Sequence, residues 1–292
     1  MMTSGFEPVA IPPVGAERPA FEPYQRRVEA EFSALLSDAP GEKDVQKFLE
    51  RHPTLVPGAL TPGSSSGHYP LHCALVTQPP LPGFRSRIPD FMWIATHSGT
   101  WYPTLIEIES PRKRLFTTDG HPTAEFTEAR TQLAQWRVWF QNPTNVHQFL
   151  ELYAIPDTWR RDRGWKLHTI LIYGRRAEFD GSPELSRLRG SLMADDEDLI
   201  SFDRLAPDPK LDGVITVRAR GDGRFEAIWV PETFGTSASI ADNLWRIDGI
   251  SEALDRNDRI PVARRAFLKD RVEYWRAWAQ SSGPKRYQLG LE

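Results

Sequence analysis

Apolar positions recur along the chain with two periods, and each change of period marks a new element. From Pro23 onward Val28, Phe32, Leu35 and Leu36 fall at i, i+4, i+7 and i+8. That spacing predicts an amphipathic helix ending before Asp38-Ala39-Pro40-Gly41. A second helix follows in EKDVQKFLERH, with Val45, Phe48 and Leu49 on one side and Pro53 as its stop. Strand patterns then take over. LHCALV (71–76) is a short apolar run, RIPDFMWIAT (87–96) alternates, and TWYPTLIEIES (100–110) is dense in β-formers and closed by Pro111. The His97-Ser98-Gly99-Thr100 segment predicts a hairpin between the last two.

The period returns to 3.6 between Pro122 and Phe140, where Phe126, Ala129, Leu133, Trp136 and Phe140 form an apolar stripe. A strand (166–174), a helix (183–194) and a short strand (199–203) complete a mixed α/β order. Beyond Pro207-Asp208-Pro209, VITVRA (214–219) and FEAIWV (225–230) flank Gly221-Asp222-Gly223 as a hairpin. Two helices are predicted after it, over 237–255 and 261–280, the second opened by Pro261. Three units are therefore expected: a proline-rich arm with its helix (1–40), an α/β domain (41–205) and a hairpin-plus-helices appendage (206–292). The Trp- and Leu-rich tail fits either self-association or packing on its own core.

Composition narrows the function classes. The 36 Lys and Arg against 39 Asp and Glu leave a net charge of −3, which excludes a histone-like basic protein. A local basic groove offset by acids elsewhere remains open. Cys73 is the single cysteine, so the chain holds no internal disulfide and no Cys-rich zinc module. The amino-terminal residues lack the basic and apolar regions of a signal peptide, and no apolar run approaches ~18 residues. A cytoplasmic protein that does not contact membrane is expected. The seven histidines show no HxH pairing, and no GxxxxGK[ST] or GxGxxG occurs, so no zinc cage, ATP or dinucleotide is expected. Cys73, in an apolar run, reads as core.

The chemistry concentrates in Asp90, Glu107 and Glu109. Alternation along a strand puts Glu107 and Glu109 on one face, with Ile106 and Ile108 on the other. Two carboxylates side by side on an interior strand repel and are costly to desolvate, and a divalent cation is the usual remedy. Asp90, on the preceding strand, comes level with Glu107 in the appropriate hairpin register. Such a set is hard-ligand chemistry suited to Mg²⁺ or Mn²⁺. The alternative is a solvated face on an edge strand, its acids paired with Arg85, Arg87 or Arg112. Gln132, one turn before Trp136, either faces the same site or is an exposed helix glutamine. The run Arg112-Lys113-Arg114 directly after the strand is a candidate phosphate contact, with Arg175 and Arg176 extending the rim; Arg160-Arg161-Asp162-Arg163 reads as a solvated loop.

The order helix, strand, Pro-Asp strand, Glu-x-Glu strand, helix, strand resembles the PD-(D/E)xK nuclease superfamily. EKDVQKFLERHP (42–53), RIPDF (87–91), PTLIEIESP (103–111), RLF (114–116), ARTQLAQW (129–136), ILIYGR (170–175) and LISFDRL (199–205) together resemble the Shedu anti-phage nuclease family, the SduA C-terminal domain. The resemblance implies a restriction-endonuclease-like core and a Mg²⁺-dependent (or Mn²⁺-dependent) DNA endonuclease working as a homo-oligomer in prokaryotic phage defence. By motif match it implies Asp90 and Glu107 as metal ligands, with Glu42 and Gln132 in support. One departure stands out: Glu109 occupies the position where the pattern has Lys. Three outcomes follow: Glu109 acts as base or ligand, Lys113 swings in from the following loop, or catalysis is lost and the fold serves as a sensor or binding module.

Overall fold

The computed structural model describes residues 9–60, 68–83, 88–281 and 292. Arg85 and Arg87, named above as alternative partners of the acids, lie outside them. Two amino-terminal helices, α1 (Phe21–Ser37) and α2 (Glu42–Arg51), precede the sheet. The strands are β1 (Ala74–Thr77), β2 (Phe91–Thr96), β3 (Thr100–Ile108), β4 (Gly164–Trp165), β5 (His168–Ile172), β6 (Glu197–Ile200), β7 (Ile215–Gly221), β8 (Arg224–Trp229) and β9 (Ile247–Asp248). Between and after them come α3 (Ala124–Phe140), α4 (Pro143–Leu152), α5 (Asp157–Asp162), α6 (Pro183–Ser191), α7 (Ala238–Leu244), α8 (Ile250–Arg256) and α9 (Val262–Gln280).

The strands form one mixed sheet in the order β6-β5-β3-β2-β1-β7-β8-β9, with β4 pairing the start of β3. β2 and β3 make the expected antiparallel hairpin, and β3, β5 and β6 run parallel. Alternation sorts the side chains of every interior strand. Leu75, Phe91, Trp93, Ile106, Ile108, Ile170 and Ile172 point to a core shared with Val28 and Phe32 of α1 and Val45 and Leu49 of α2. Val76, Met92, Ile94, Leu105, Leu171, Val217 and Phe225 point to the larger core under α3, α4, α7, α8 and α9. The fold is a helix–sheet–helix sandwich, and the expected α/β class holds. Among the described residues no helix is long and apolar enough to cross a membrane.

Two features differ from the sequence reading. The segment after residue 205 does not stand apart from the sheet. β7 pairs parallel with β1 (Ala74↔Ile215 to Val76↔Val217), and Trp275 and Trp278 of α9 belong to the larger core. Those two tryptophans are thus covered by this chain. The helix predicted over 237–255 is broken into α7, β9 and α8, because Gly249 takes φ 72° and Ile247–Asp248 pairs with β8. A local apolar period cannot report that edge pairing. The helices α4 and α5 are also absent from that reading, although Val146, Phe149, Leu150 and Tyr153 fall at i, i+3, i+4 and i+7 across α4 and its end.

Candidate metal and phosphate site at the carboxyl end of β3

The β2–β3 register sets Phe91 opposite Ile106, so one further step sets Asp90 opposite Glu107. The hairpin therefore brings together what the sequence separates by 17 positions. β3 lies between β2 and β5, not at an edge, and Glu107 is 9% exposed. The surface-decoration alternative is excluded by that placement. Asp90 is half-buried at the mouth, and its Oδ2 accepts from the Ile108 N–H at 2.9 Å. Glu107 Oε2 is buried without a hydrogen-bond partner. Burial, followed by the charges of Asp90, Glu109 and Glu42, pushes the Glu107 carboxyl well above its ordinary range; a hydrogen bond from Gln132 opposes this only in part. Asp90 is raised to about 7 by burial, relieved by the Ile108 bond, and raised further by Glu42, Glu109 and Glu50.

Helices deliver the remaining groups from both faces of the sheet. Gln132, 8% exposed, arrives from α3 on the Glu107 side, one turn before the buried Trp136. Glu42 opens α2, where burial and then the neighbouring Glu109 raise its carboxyl above the ordinary value. Glu109 follows β3, its N–H bonded to the Ile172 carbonyl at 3.0 Å, and its Oε2 takes an ion pair from Lys113 Nζ. The five predicted residues Asp90, Glu107, Glu109, Gln132 and Glu42 thus interact within one neighbourhood, and Lys113 joins them from the loop.

The basic run divides. Arg112 Nε donates to the Ala39 carbonyl beyond α1, and Arg175 reaches the Leu36 carbonyl at 3.1 Å and Asp203 at 2.8 Å. Arg114 is the freest of the three in the run, 61% exposed with a single distant pair to Glu178 at 3.8 Å. Two site residues escape sequence reasoning. Glu50, on α2 two turns after Glu42, accepts from Thr77 Oγ1 at 2.6 Å and adds negative charge near Asp90. Its i, i+8 spacing from Glu42 was the available signal. Glu178, after β5, accepts from the Leu115 and Phe116 N–H groups at 3.0 and 2.9 Å. It fastens the loop that carries Lys113, and no local pattern announces so distant a contact.

The donor set fits a hard divalent cation: carboxylate oxygens, one of them buried and unpartnered, with the nearby Lys113 ammonium engaged by Glu109. Among the described residues no three His, Cys, Asp or Glu side chains stand as a ready-made ligand cage.

No curated protein matches the chain closely enough to serve as a relative. The family model described as Shedu protein SduA, C-terminal, matches residues 40–206. That span covers more than half of the sequence and contains every acid of the site, and the chain belongs to the Shedu SduA C-terminal family.

Proposed function

We propose that this protein is a divalent-metal-dependent DNA endonuclease acting in anti-phage defence. The observation that carries the reading is the facing pair Asp90 and Glu107, driven toward protonation by burial and by the acids around them, with Glu107 Oε2 left unpartnered. A fold retains such a pair at a cost in stability, and a bound cation offsets it. The family membership supports the defence role.

Asp90 and Glu107 would hold Mg²⁺ or Mn²⁺. Such an ion, when bound, lowers the pKa of a coordinated water and stabilises charge on the scissile phosphate. Gln132 fixes the Glu107 carboxylate through its hydrogen bond. Glu109 orients the attacking water and receives its proton, while the Lys113 ammonium holds the Glu109 carboxylate in place. Lys113 thereby supplies, from the loop, the ammonium that the usual motif places on the strand. Arg112, Lys113 and Arg114 line the approach for a phosphate backbone, and a homo-oligomer would present two or more such sites to one duplex.

The test is incubation with supercoiled, linear and single-stranded DNA in Mg²⁺, in Mn²⁺ and in chelator. Metal-dependent nicking that disappears in the D90A/E107A protein is expected; nicking unchanged by that double substitution would falsify the assignment. A second reading, a silent sensor of the same fold, draws on the Glu109–Lys113 ion pair, which closes two functional groups on each other. It predicts metal-independent DNA binding without any cleavage.

A further inference from the structure

The outer surface of α2 carries charge that the acidic site does not use. Lys43, Lys47 and Arg51 recur at i, i+4 and i+8, and all three are exposed. That spacing keeps them within an arc of about 80° along about 12 Å of helix axis. The acids of the same helix are directed elsewhere. Glu42 and Glu50 bear on the Asp90 carboxyl, and Asp44 Oδ2 accepts from the Gly41 N–H at 3.2 Å. Among the described residues none of the three cations forms an ion pair, whereas Arg27 of α1 and Lys269 of α9 are both paired.

The row continues onto the sheet. Thr77 Oγ1 donates to Glu50 at 2.6 Å, so Thr77 faces α2. The parallel β1–β7 register pairs Val76 with Val217, and one further step sets the exposed Arg218 beside Thr77 on the same face. Glu226 stands directly across from Arg218 on β8, yet its carboxylate goes to Arg220 at 2.7 Å. Among the described residues Arg218 is left without an ion pair. The Arg51 guanidinium lies 5.5 Å over the Trp229 ring and ties the end of α2 to β8, so helix and hairpin present one surface. Thr77 pairs with Phe91 in turn, which puts Arg218 two strands, about 10 Å, from the start of β2 where Asp90 lies.

We propose that Lys43, Lys47, Arg51 and Arg218 form a track for the backbone of duplex DNA, leading from the acidic site onto the final third of the chain. The partner follows from the charges. Cations in a row on a rigid helix meet evenly spaced anions, and about 12 Å of axis matches three to four nucleotides of one strand. Contacts to phosphates alone give affinity and register without choice of sequence. The track rests on the DNA-cleaving role proposed for the acidic site and adds the surface that brings a duplex to it. Arg218 lies beyond the family-matched residues 40–206, so the final third gains a part in DNA binding.

Fluorescence anisotropy of a short labelled duplex with the full chain, in chelator so that metal-dependent cleavage is silent, tests the track. K43A/K47A/R218A removes three exposed cations and should cut the slope of log K against log salt by about 2.7. Between about 50 and 200 mM salt the wild type then loses roughly fortyfold more affinity than the variant. K43R/K47R/R218K should keep the wild-type slope. R161A/K166A/R187A removes the same charge from α5, the β4–β5 link and α6, which pack on the opposite core, and should leave the slope unchanged. A slope unmoved in K43A/K47A/R218A, or lowered equally by the second triple, would overturn the track. Loss of polyglutamate binding with the DNA slope intact would give the row to an acidic protein and overturn it too. Plasmid nicking in Mg²⁺ separates the track from the chemistry. Duplex binding with the expected slope loss but no nicking keeps the track and defeats the nuclease; nicking with an unmoved slope does the reverse. If the triple variant fails to fold, K47A decides alone, with an expected slope change of about 0.9.

Discussion

At the β6 margin of the sheet the Glu197 side chain, 2% exposed, lies between Arg130 at 3.2 Å and Arg137 at 2.9 Å. At the carboxyl end of β3 the comparably buried Glu107 faces Asp90, with Glu109 and Glu42 close by, and a glutamine is its neutral partner. Glu292 repeats the first pattern: burial would raise its carboxyl, yet bonds from Arg271, Thr236, the Ile11 N–H and Trp275 hold it below the ordinary range. The chain is therefore able to neutralise a buried acid, and does so where the acid is structural. Where it does not, at the carboxyl end of β3, the missing countercharge is what the cation of the proposed function would supply.

The largest expected effect tests that contrast through activity. D90A/E107A should lower metal-dependent DNA cleavage by at least roughly a thousandfold, about 4 kcal/mol of lost transition-state stabilisation. A plasmid-nicking time course read alongside circular dichroism checks that the loss is chemical rather than a failure to fold. E197Q in the same assay should leave the rate per folded molecule unchanged.

Stability should move in opposite directions at the two places. A carboxyl whose pKa is raised in the folded state contributes stability that is fully present below its unfolded pKa of about 4 and is lost as pH rises through the folded value. For Asp90 that window runs up to about 7. E107Q and D90N should therefore raise Tm at pH 7.5 without metal, at roughly 2–4 °C per kcal/mol, and change little at pH 4. Glu292, held low, behaves conversely: its contribution is present above the unfolded pKa and is lost as pH falls through the folded one. E197Q should cost about 1–3 kcal/mol at pH 7.5, because two arginines lose a charged acceptor. Mn²⁺ should stabilise the wild type, by about 2.7 kcal/mol at a hundredfold excess over Kd, and not E107Q. A destabilised E107Q in metal-free buffer would break the comparison.

Much of this geometry was legible beforehand because it rests on short-range rules. Strand alternation placed Glu107 and Glu109 and the hairpin brought Asp90 to Glu107, whereas the helix stripe left Gln132 open between inward and exposed until its burial settled it. What stayed hidden depends on contacts distant in sequence. The parallel pairing of β1 with β7 joins residues about 140 positions apart, so the final third read as an appendage. Glu178 meets the Leu115 and Phe116 N–H groups across more than 60 positions. The division of the basic run, with Arg112 held at Ala39 and Arg114 left open, depends on where α1 ends rather than on the run itself.

Glu178 offers a smaller effect that sharpens the comparison. Its two oxygens accept two main-chain N–H groups, and E178Q replaces one acceptor with a donor. The loop holding Lys113 should loosen, lowering kcat roughly tenfold, about 1.4 kcal/mol, with KM for DNA nearly unchanged. K113A should give a similar kcat loss, and E178Q/K113A should fall little below either single variant. Additive losses would show that the two residues act separately.

The smallest effect is expected at the rim. Arg114 is largely exposed and only weakly paired with Glu178 at 3.8 Å, so R114A should leave the stability within about 0.5 kcal/mol of wild type. If it meets a phosphate, DNA affinity should fall a few-fold irrespective of sequence, and the slope of log K against log salt should shrink by about 1. R112A should differ, because Arg112 is committed to the Ala39 carbonyl at the turn that leads into Glu42. Its loss should lower Tm and cleavage together while changing the salt slope less than R114A does. A salt slope reduced by R112A and not by R114A would transfer the DNA contact to the arginine that also anchors the amino-terminal helices, making the docking of α1 and the grip on DNA competitors for one guanidinium.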